Sequence, residues 1–486
     1  MFLQRFYDDF LAQASYLVGC QATGEALVID PLREVEPYLE AARSEGLRVT
    51  HVAETHIHAD FVSGARELAH RADARLLLSN EGGSDWSYGF AAADGATLVG
   101  DGDHFMVGRI RLDVMHTPGH TPEHLTFVLT DTAGADRPMG AFTGDFVFVG
   151  DVGRPDLLEK AAGVEGTMRA AASDLFSSLQ RFRRLDDWIQ IWPGHGAGSA
   201  CGKGLGAVPS TTLGYEKRFN WAFGHDAEDS FVAAVLEGQP DPPVYFARMK
   251  QINRDGPPIL GGPANPPVIE GTPTELRAAM ETALAEAAAG KAVVFDTRLE
   301  PAFASGHIPG TLNVPLNRGF TTWAGWLLPY DRELYLIAEG AEAGQRAARR
   351  MSGIGLDRVA GVFPTEVLAA WASDGGTIQK IDTLAPDELA DRMERNGVAV
   401  VDVRWDSEMA EGRIPGATHI PLGYLAQRTN QLPEGRPLVL NCAGGGRSAV
   451  AAALLQAHGI SDVMNLAGGF DQWRAEGRPI EHGESS

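Results

Sequence analysis

The chain has 486 residues, 44% of them hydrophobic and 22% charged, the balance of ordinary globular protein rather than of a disordered tail. With 64 acidic against 41 basic side chains its formal charge is −23, which repels phosphate backbones and anionic lipid, so neither nucleic acid nor a membrane is an expected partner. Three scattered cysteines, Cys20, Cys201 and Cys442, are too few for a disulfide framework, and the paired aspartates of MFLQRFYDDF interrupt the apolar run a signal peptide needs, so a soluble cytoplasmic protein is expected.

In chain order, the first half carries short β-runs (EALVIDP, LRVTHVAET, ARLLLS, RIRLDVMH, HLTFVLTD, DWIQIWP) bounded by Gly and Asp turns. Amphipathic helices are expected near residues 35 to 45, 64 to 72 and 165 to 183. His and Asp gather at the ends of the β-runs, where loops carry function, so this part reads as an α/β sandwich with a loop-built site. A proline-rich passage then begins at residue 237, and its prolines resist both helix and central strand. It reads as a linker over 237–270, although the embedded VYFARMKQINR is too apolar and basic for pure spacer and should pack on a neighbour.

Beyond the linker lies an internal repeat. VFDTRLEPAFASGHIPGTLNVPL (294–316) matches VVDVRWDSEMAEGRIPGATHIPL (400–422) at a constant offset of 106, aligning Asp296 with Asp402, Arg298 with Arg404 and Gly306 with Gly412. Each copy reads as a buried β-run, a helix, an Ile-Pro-Gly turn, a second β-run, then a third ending at 338 or 442 before a helix rich in Ala and Arg. Strands alternating with helices imply a parallel α/β sheet in each copy.

Four segments of the first half supply candidate metal ligands: His56, His58 and Asp60 in THIHADF, His120 in PGHTPEH, Asp145 in TGDFVFVGD and His195 in WPGHGAG. Each follows a β-run beside Gly or Pro, which stiffens ligand loops and lets backbone approach an ion. His51, His70, His104, His116 and His124 read as ordinary structural histidines. The ordered pattern H-x-H-x-D, TPGHT, GD, PGHG resembles the metallo-β-lactamase superfamily over residues 1 to about 236. The resemblance implies a four-layer αββα fold with a metal at one edge. Members with two metals take ligands for the second from Asp60, a His at position 61 and His195, with Asp145 bridging. Phe61 removes one of these, and one metal is the expectation.

Together with SYLVGCQATGEALVIDP and GDVGRPDL, Phe61 makes this half similar to persulfide dioxygenases fused to rhodaneses. That similarity implies a single Fe(II) per chain, held by His56, His120 and Asp145, with His58, Asp60 and His195 orienting ligands or water around it. Two imidazoles and a carboxylate on one side leave positions open, as in non-haem iron oxygenases. YEKRFNW, with Arg154 and Lys203, offers cations and an aromatic (Lys217, Arg218, Tyr215) as candidate binders of the thiol carrier. Cys201, six residues after His195, is a possible neighbour of the metal mouth.

The second repeat contains VLNCAGGGRSAVAAALL. A cysteine at a glycine turn before a helix meets backbone N–H groups and the positive helix end, which favour thiolate and bound anion. Cys442, Gly444, Gly445, Gly446 and Arg447 form C-x4-R, and with Asp402 and GRIPGATHIP they resemble the rhodanese family over 378–482. The resemblance implies that Cys442 takes up sulfane sulfur and passes it on. In the first repeat, 271–372, Ala338 stands where Cys442 does, with Glu339 and Glu342 after it, so this copy is expected to be silent.

The combined reading is an αββα sandwich followed by two rhodanese-like α/β domains with parallel sheets. The expected reaction converts a low-molecular-weight thiol persulfide (of glutathione, coenzyme A or similar) and O2 to sulfite and thiol. Cys442 then links persulfide, sulfite and thiosulfate, in sulfide detoxification. A homo-oligomer is expected. The alternatives are a glyoxalase-type thioester hydrolase, and a persulfide-binding sulfur carrier.

Overall fold

The β-runs of the first half pair into two mixed six-stranded sheets. In the computed structural model, which describes residues 1–157, 159, 166–239, 242–373, 375–409 and 412–482, the chain forms two units. The first comprises residues 1–264 with 349–355, the second 265–348 with 356–486.

In the first unit one sheet runs β1 (Phe2–Asp8), β2 (Gln13–Cys20), β3 (Glu25–Ile29), β4 (Arg48–Ala53), β5 (Arg75–Ser79), β6 (Thr97–Val99) in spatial order. The other contains β7 (His104–Val107), β8 (Ile110–His116), β9 (Leu125–Asp131), β10 (Gly140–Gly144), β11 (Gln190–Pro193) and β12 (Thr211–Thr212), again adjacent in chain order. Alternation along β9 explains the layering. Leu125, Phe127 and Leu129 enter the inter-sheet core with Tyr16, Ile29, Phe142 and Trp192, while Val128 faces the outer helices. Helices Glu36–Ser44 and Ala65–Ala72 cover the first sheet through Tyr38, Ala42 and Leu68. Helices Met168–Phe182 and Glu228–Leu236 cover the second through Leu175, Leu179, Phe231 and Val232. The result is the four-layer αββα arrangement; residue 165, the expected start of one helix, lies outside the described residues.

Within the stretch read as linker, Phe246–Asp255 is a helix of the first unit, with Phe246, Met249 and Asn253 buried. No proline falls inside it, and its apolar side chains repeat at helical spacing.

The second unit holds two parallel sheets. The first repeat gives β13 (Ala292–Asp296), β14 (Leu312–Asn313), β15 (Glu333–Ala338) and β16 (Val359–Pro364), in the order β14-β13-β15-β16. The second gives β17 (Asp382–Leu384), β18 (Ala399–Asp402), β19 (Thr418–His419), β20 (Leu438–Asn441) and β21 (Val463–Leu466), in the order β17-β21-β20-β18-β19. Asp296 lies opposite Ile337, and Asp402 opposite Asn441. The register therefore makes Ala338 the equivalent of Cys442. In both copies the arginine two residues on clasps the strand-end aspartate and donates to a glycine carbonyl, Arg298 to Gly306 at 2.9 Å and Arg404 to Gly412 at 2.8 Å. Among the described residues no helix is long and apolar enough to cross a membrane.

Candidate metal centre and thiol loop

The loops after β4, β10 and β11 and the β8–β9 connection meet at one edge of the sandwich. There one ligand atom each from His56, His120 and Asp145 lie within 4.8 Å of one another, all buried. Asp145 Oδ2 is 3.4 Å from His120 Nε2 and 3.9 Å from His56 Nε2, while Oδ1 is 3.5 Å from His195 Nε2.

Each imidazole is turned by a bond from its other nitrogen. Thr55 donates its hydroxyl to Asp30 Oδ2 (2.8 Å), so His56 Nδ1–H donates to Thr55 Oγ1 (2.9 Å). His120 Nδ1–H donates to the Arg154 carbonyl (3.1 Å), and His195 Nδ1–H to that of Ala12 (3.0 Å). All three present a bare Nε2 inward, the tautomer a metal requires. Burial first, then neighbouring imidazoles, holds His56 well below the ordinary histidine range; burial also lowers His120 despite Asp145. His56 Nε2 and both Asp145 carboxylate oxygens are buried without a hydrogen-bond partner. Orphaned acceptors of this kind are costly unless an ion satisfies them, so the donor set fits a metal.

His58 is turned away, its Nε2 3.2 Å from Asp30 Oδ1. Burial opposes its charged form, but Asp30 outweighs it and the pKa rises to about 9. Asp60 faces His195, 3.3 Å from Nε2, and forms with His195 and Cys201 a second buried trio of possible ligand atoms. Burial, then Asp60 and Asp145, push the Cys201 thiol well above its ordinary value, so it sits there as a protonated thiol. Phe61 is fully buried, its ring 4.4 Å from that of His58.

Several supporting residues fall outside the ligand pattern H-x-H-x-D, TPGHT, GD, PGHG or were read as ordinary. His124, read as ordinary, accepts from the Asp145 amide through Nε2 (3.1 Å) and lies face to face with His56 at 5.0 Å. Glu123 accepts from the Ile57 amide at 2.7 Å. Asn253 accepts from Ser63 N and donates to the carbonyls of His58 and Phe61, each at 2.7 Å, pinning the H-x-H-x-D loop from the helix 246–255. Gly144, at φ 46°, and Gly153, where a Cβ would lie 1.8 Å from the Asp145 carbonyl, leave no room for side chains behind that aspartate.

The cations expected to meet a substrate are placed otherwise. Arg154 is fully buried and bound by both guanidinium arms to Asp156 at 2.7 Å, because a buried charge needs a partner; its carbonyl serves the site instead. Lys203 caps the end of helix Glu228–Leu236 through the carbonyls of Ala234 (2.6 Å) and Glu237 (3.2 Å). Lys217 is tied to Asp187 at 2.6 Å. Tyr215 and Arg218 are exposed on helix Leu213–Phe219, which offers Glu216, not a cation, to the Gly150 amide at 2.8 Å.

In the second unit Cys442 follows β20 and is buried. The Gly445 amide donates to its Sγ at 3.1 Å and the Ser448 hydroxyl at 3.3 Å. Gly445, at φ 93°, makes this approach possible and starts helix Gly446–Ala457, while Gly444 is open to solvent. Arg447 is paired in the structure. Glu408 clasps it with bonds of 2.6 and 2.7 Å, and the Trp405 amide holds Glu408 at 3.0 Å.

Comparison with known proteins matches both halves of the chain. The metallo-beta-lactamase superfamily model matches residues 8–195, and the rhodanese-like domain model matches 272–363 and 385–476. A crystal structure described as a metallo-beta-lactamase from Staphylococcus aureus is 42% identical, covering 75% of this chain and 99% of its own, with a TM-score of 0.65. Human mitochondrial persulfide dioxygenase ETHE1 is 32% identical over 161 residues, 33% of this chain and 58% of that protein. A sulfurtransferase of Allochromatium vinosum is 34% identical over 101 residues, 21% of this chain and 94% of that protein. Several curated relatives of the first half are spanned over only 54 to 60% of their length. The chain belongs to the metallo-beta-lactamase superfamily in its first half and to the rhodanese-like family, twice over, in its second, the arrangement of a persulfide dioxygenase–rhodanese fusion.

Proposed function

We propose that the first unit oxidises a low-molecular-weight thiol persulfide, RSSH + O2 + H2O giving RSH, sulfite and two protons, and that Cys442 transfers sulfane sulfur. The observation that carries the reading is the three-donor set of His56, His120 and Asp145 beside a buried Phe61. These residues would hold one Fe(II), which supplies the O2 activation that protein side chains lack. The chain's own part is to fix the donors. Thr55, the Arg154 carbonyl and His124 set the imidazoles and the Asp145 backbone, Asp60 and His195 hold polar ground beside them, and Phe61 occupies with apolar surface the place of a further ligand.

In the second unit Cys442 is the nucleophile, the Gly445 amide and Ser448 hydroxyl steady its sulfur, and the repeat bearing Ala338 is silent. The carrier thiol is of the glutathione or coenzyme A class, and the sulfur moves between persulfide, sulfite and thiosulfate. A glyoxalase-type thioester hydrolase is the second reading, because Asp60, His195 and Asp145 still face one another without the ligand at position 61.

Paired substitutions test the division of labour. His120→Ala is expected to lower persulfide-dependent oxygen uptake at least a hundredfold and leave sulfur transfer intact; Cys442→Ser is expected to do the reverse. Loss of both activities in either variant, with the fold retained, would contradict it.

A further inference from the structure

The silent repeat is not separate from the Cys442 loop. Helix Gly446–Ala457, buried from Ser448 to Gln456, packs against helix Glu300–Ser305 and strand β14 of that repeat. A methyl group placed on Gly446 would lie 3.4 Å from Glu300 Oε1, and Asn317 Nδ2 holds the same oxygen at 3.2 Å. Gly446 adjoins Gly445, whose amide touches the Cys442 sulfur. Trp323 of the silent repeat stacks parallel to Trp405 at 6.0 Å, and Trp326 meets it at 5.3 Å. The Trp405 amide in turn fixes Glu408 on Arg447. At this loop the Arg447 guanidinium is paired with Glu408, and the Glu300 carboxylate lies beside Gly446.

We infer that Glu300 is a specificity-determining residue of the Cys442 site, disfavouring thiosulfate as sulfur donor and so directing the cysteine to organic persulfides. The inference rests on the sulfur-transfer reading above. With a persulfide, the Cys442 thiolate attacks the terminal sulfur; the Sγ–S bond forms, the RS–S bond breaks, its electron pair leaves on RS−, and the proton stays on the transferred sulfur. With thiosulfate the same displacement releases sulfite, but the donor brings two negative charges toward the Glu300 carboxylate beside Gly446. A carboxylate one residue from the sulfur's amide donor repels such a dianion and leaves the protonated persulfide RSSH, uncharged at the sulfur it transfers, almost unaffected.

The test is steady-state sulfur transfer by the full chain and its Glu300→Gln variant, with thiosulfate and with a low-molecular-weight thiol persulfide as donors, at low and high salt. The variant is expected to lower KM for thiosulfate about fivefold at low salt, with kcat unchanged, and to leave the persulfide KM in place; the thiosulfate effect should shrink as salt screens it. Glu300→Lys should lower the thiosulfate KM further, and thermal melting of each variant reports whether the unit is folded. An unchanged thiosulfate KM in both folded variants, or equal shifts for both donors, overturns the role of Glu300 alone. Failure of the unsubstituted chain to load sulfur on Cys442 from either donor overturns the sulfur-transfer reading, and this inference with it.

Discussion

Phe61→His places a metal-ligand type directly after Asp60, at the position where the resemblance to two-metal members implies one. The side chain at 61 is buried against His58 and near the Asp60–His195 pair, so an imidazole there adds a donor to a place now apolar. The variant is expected to bind a second metal ion per chain and to lose most oxygen uptake. Metal analysis of the folded variant checks it, and a stoichiometry still at one would show that Phe61 is not what limits the count. At this scale the candidate ligands were legible because His and Asp recur in a fixed order with Gly and Pro beside them. Their supports were not. Asp30, His124 and Asn253 act through hydrogen bonds to residues 21 to 195 positions away in sequence, and no local spacing records such pairings. Arg154 misled for a related reason: a cation next to a site reads as a substrate clamp until Asp156 is seen to neutralise it.

Helix Phe246–Asp255 shows how an element enters the site without contributing a ligand. Its Asn253 satisfies one amide and two carbonyls of the H-x-H-x-D loop, all buried. Asn253→Ala leaves those groups without partners, at about 2–4 kcal/mol of stability for the first unit, together with weaker metal retention. Denaturant unfolding with and without metal measures both, and a loss below about 0.5 kcal/mol would mean that water replaces the side chain. Strands with alternating or continuous apolar runs, such as β5, β8 and β9, were readable from the sequence. Strand β10, GAFTG, was not, since two glycines in five residues weaken any strand signal, although this strand delivers Asp145. The 246–255 helix was hidden by prolines on both sides.

For the whole molecule the duplication was the clearest message, and the strand registers of the two repeats agree with it down to Ala338 opposite the place of Cys442. What the sequence could not disclose is how the first repeat meets the second, because helix Gly446–Ala457 is apolar on nearly all sides and gives no hint of which neighbour covers which face. His307 sits in this second unit, stacked on Phe303 at 3.9 Å, and burial lowers its pKa from 6.5 to about 4. Between those pH values the unfolded chain binds a proton that the folded unit refuses. This contribution is therefore complete above pH 6.5 and is lost progressively as pH falls to about 4. In His307→Gln the unfolding midpoint of the second unit should lose that part of its pH slope; an identical slope would place the titration elsewhere.

The most direct test of the account joins metal content to oxygen. Chain loaded with ferrous iron is expected to retain one iron per molecule and, given a thiol persulfide, to consume O2 in step with sulfite formed. Two zinc ions in the active protein, or undiminished turnover in the strict absence of O2, would contradict it.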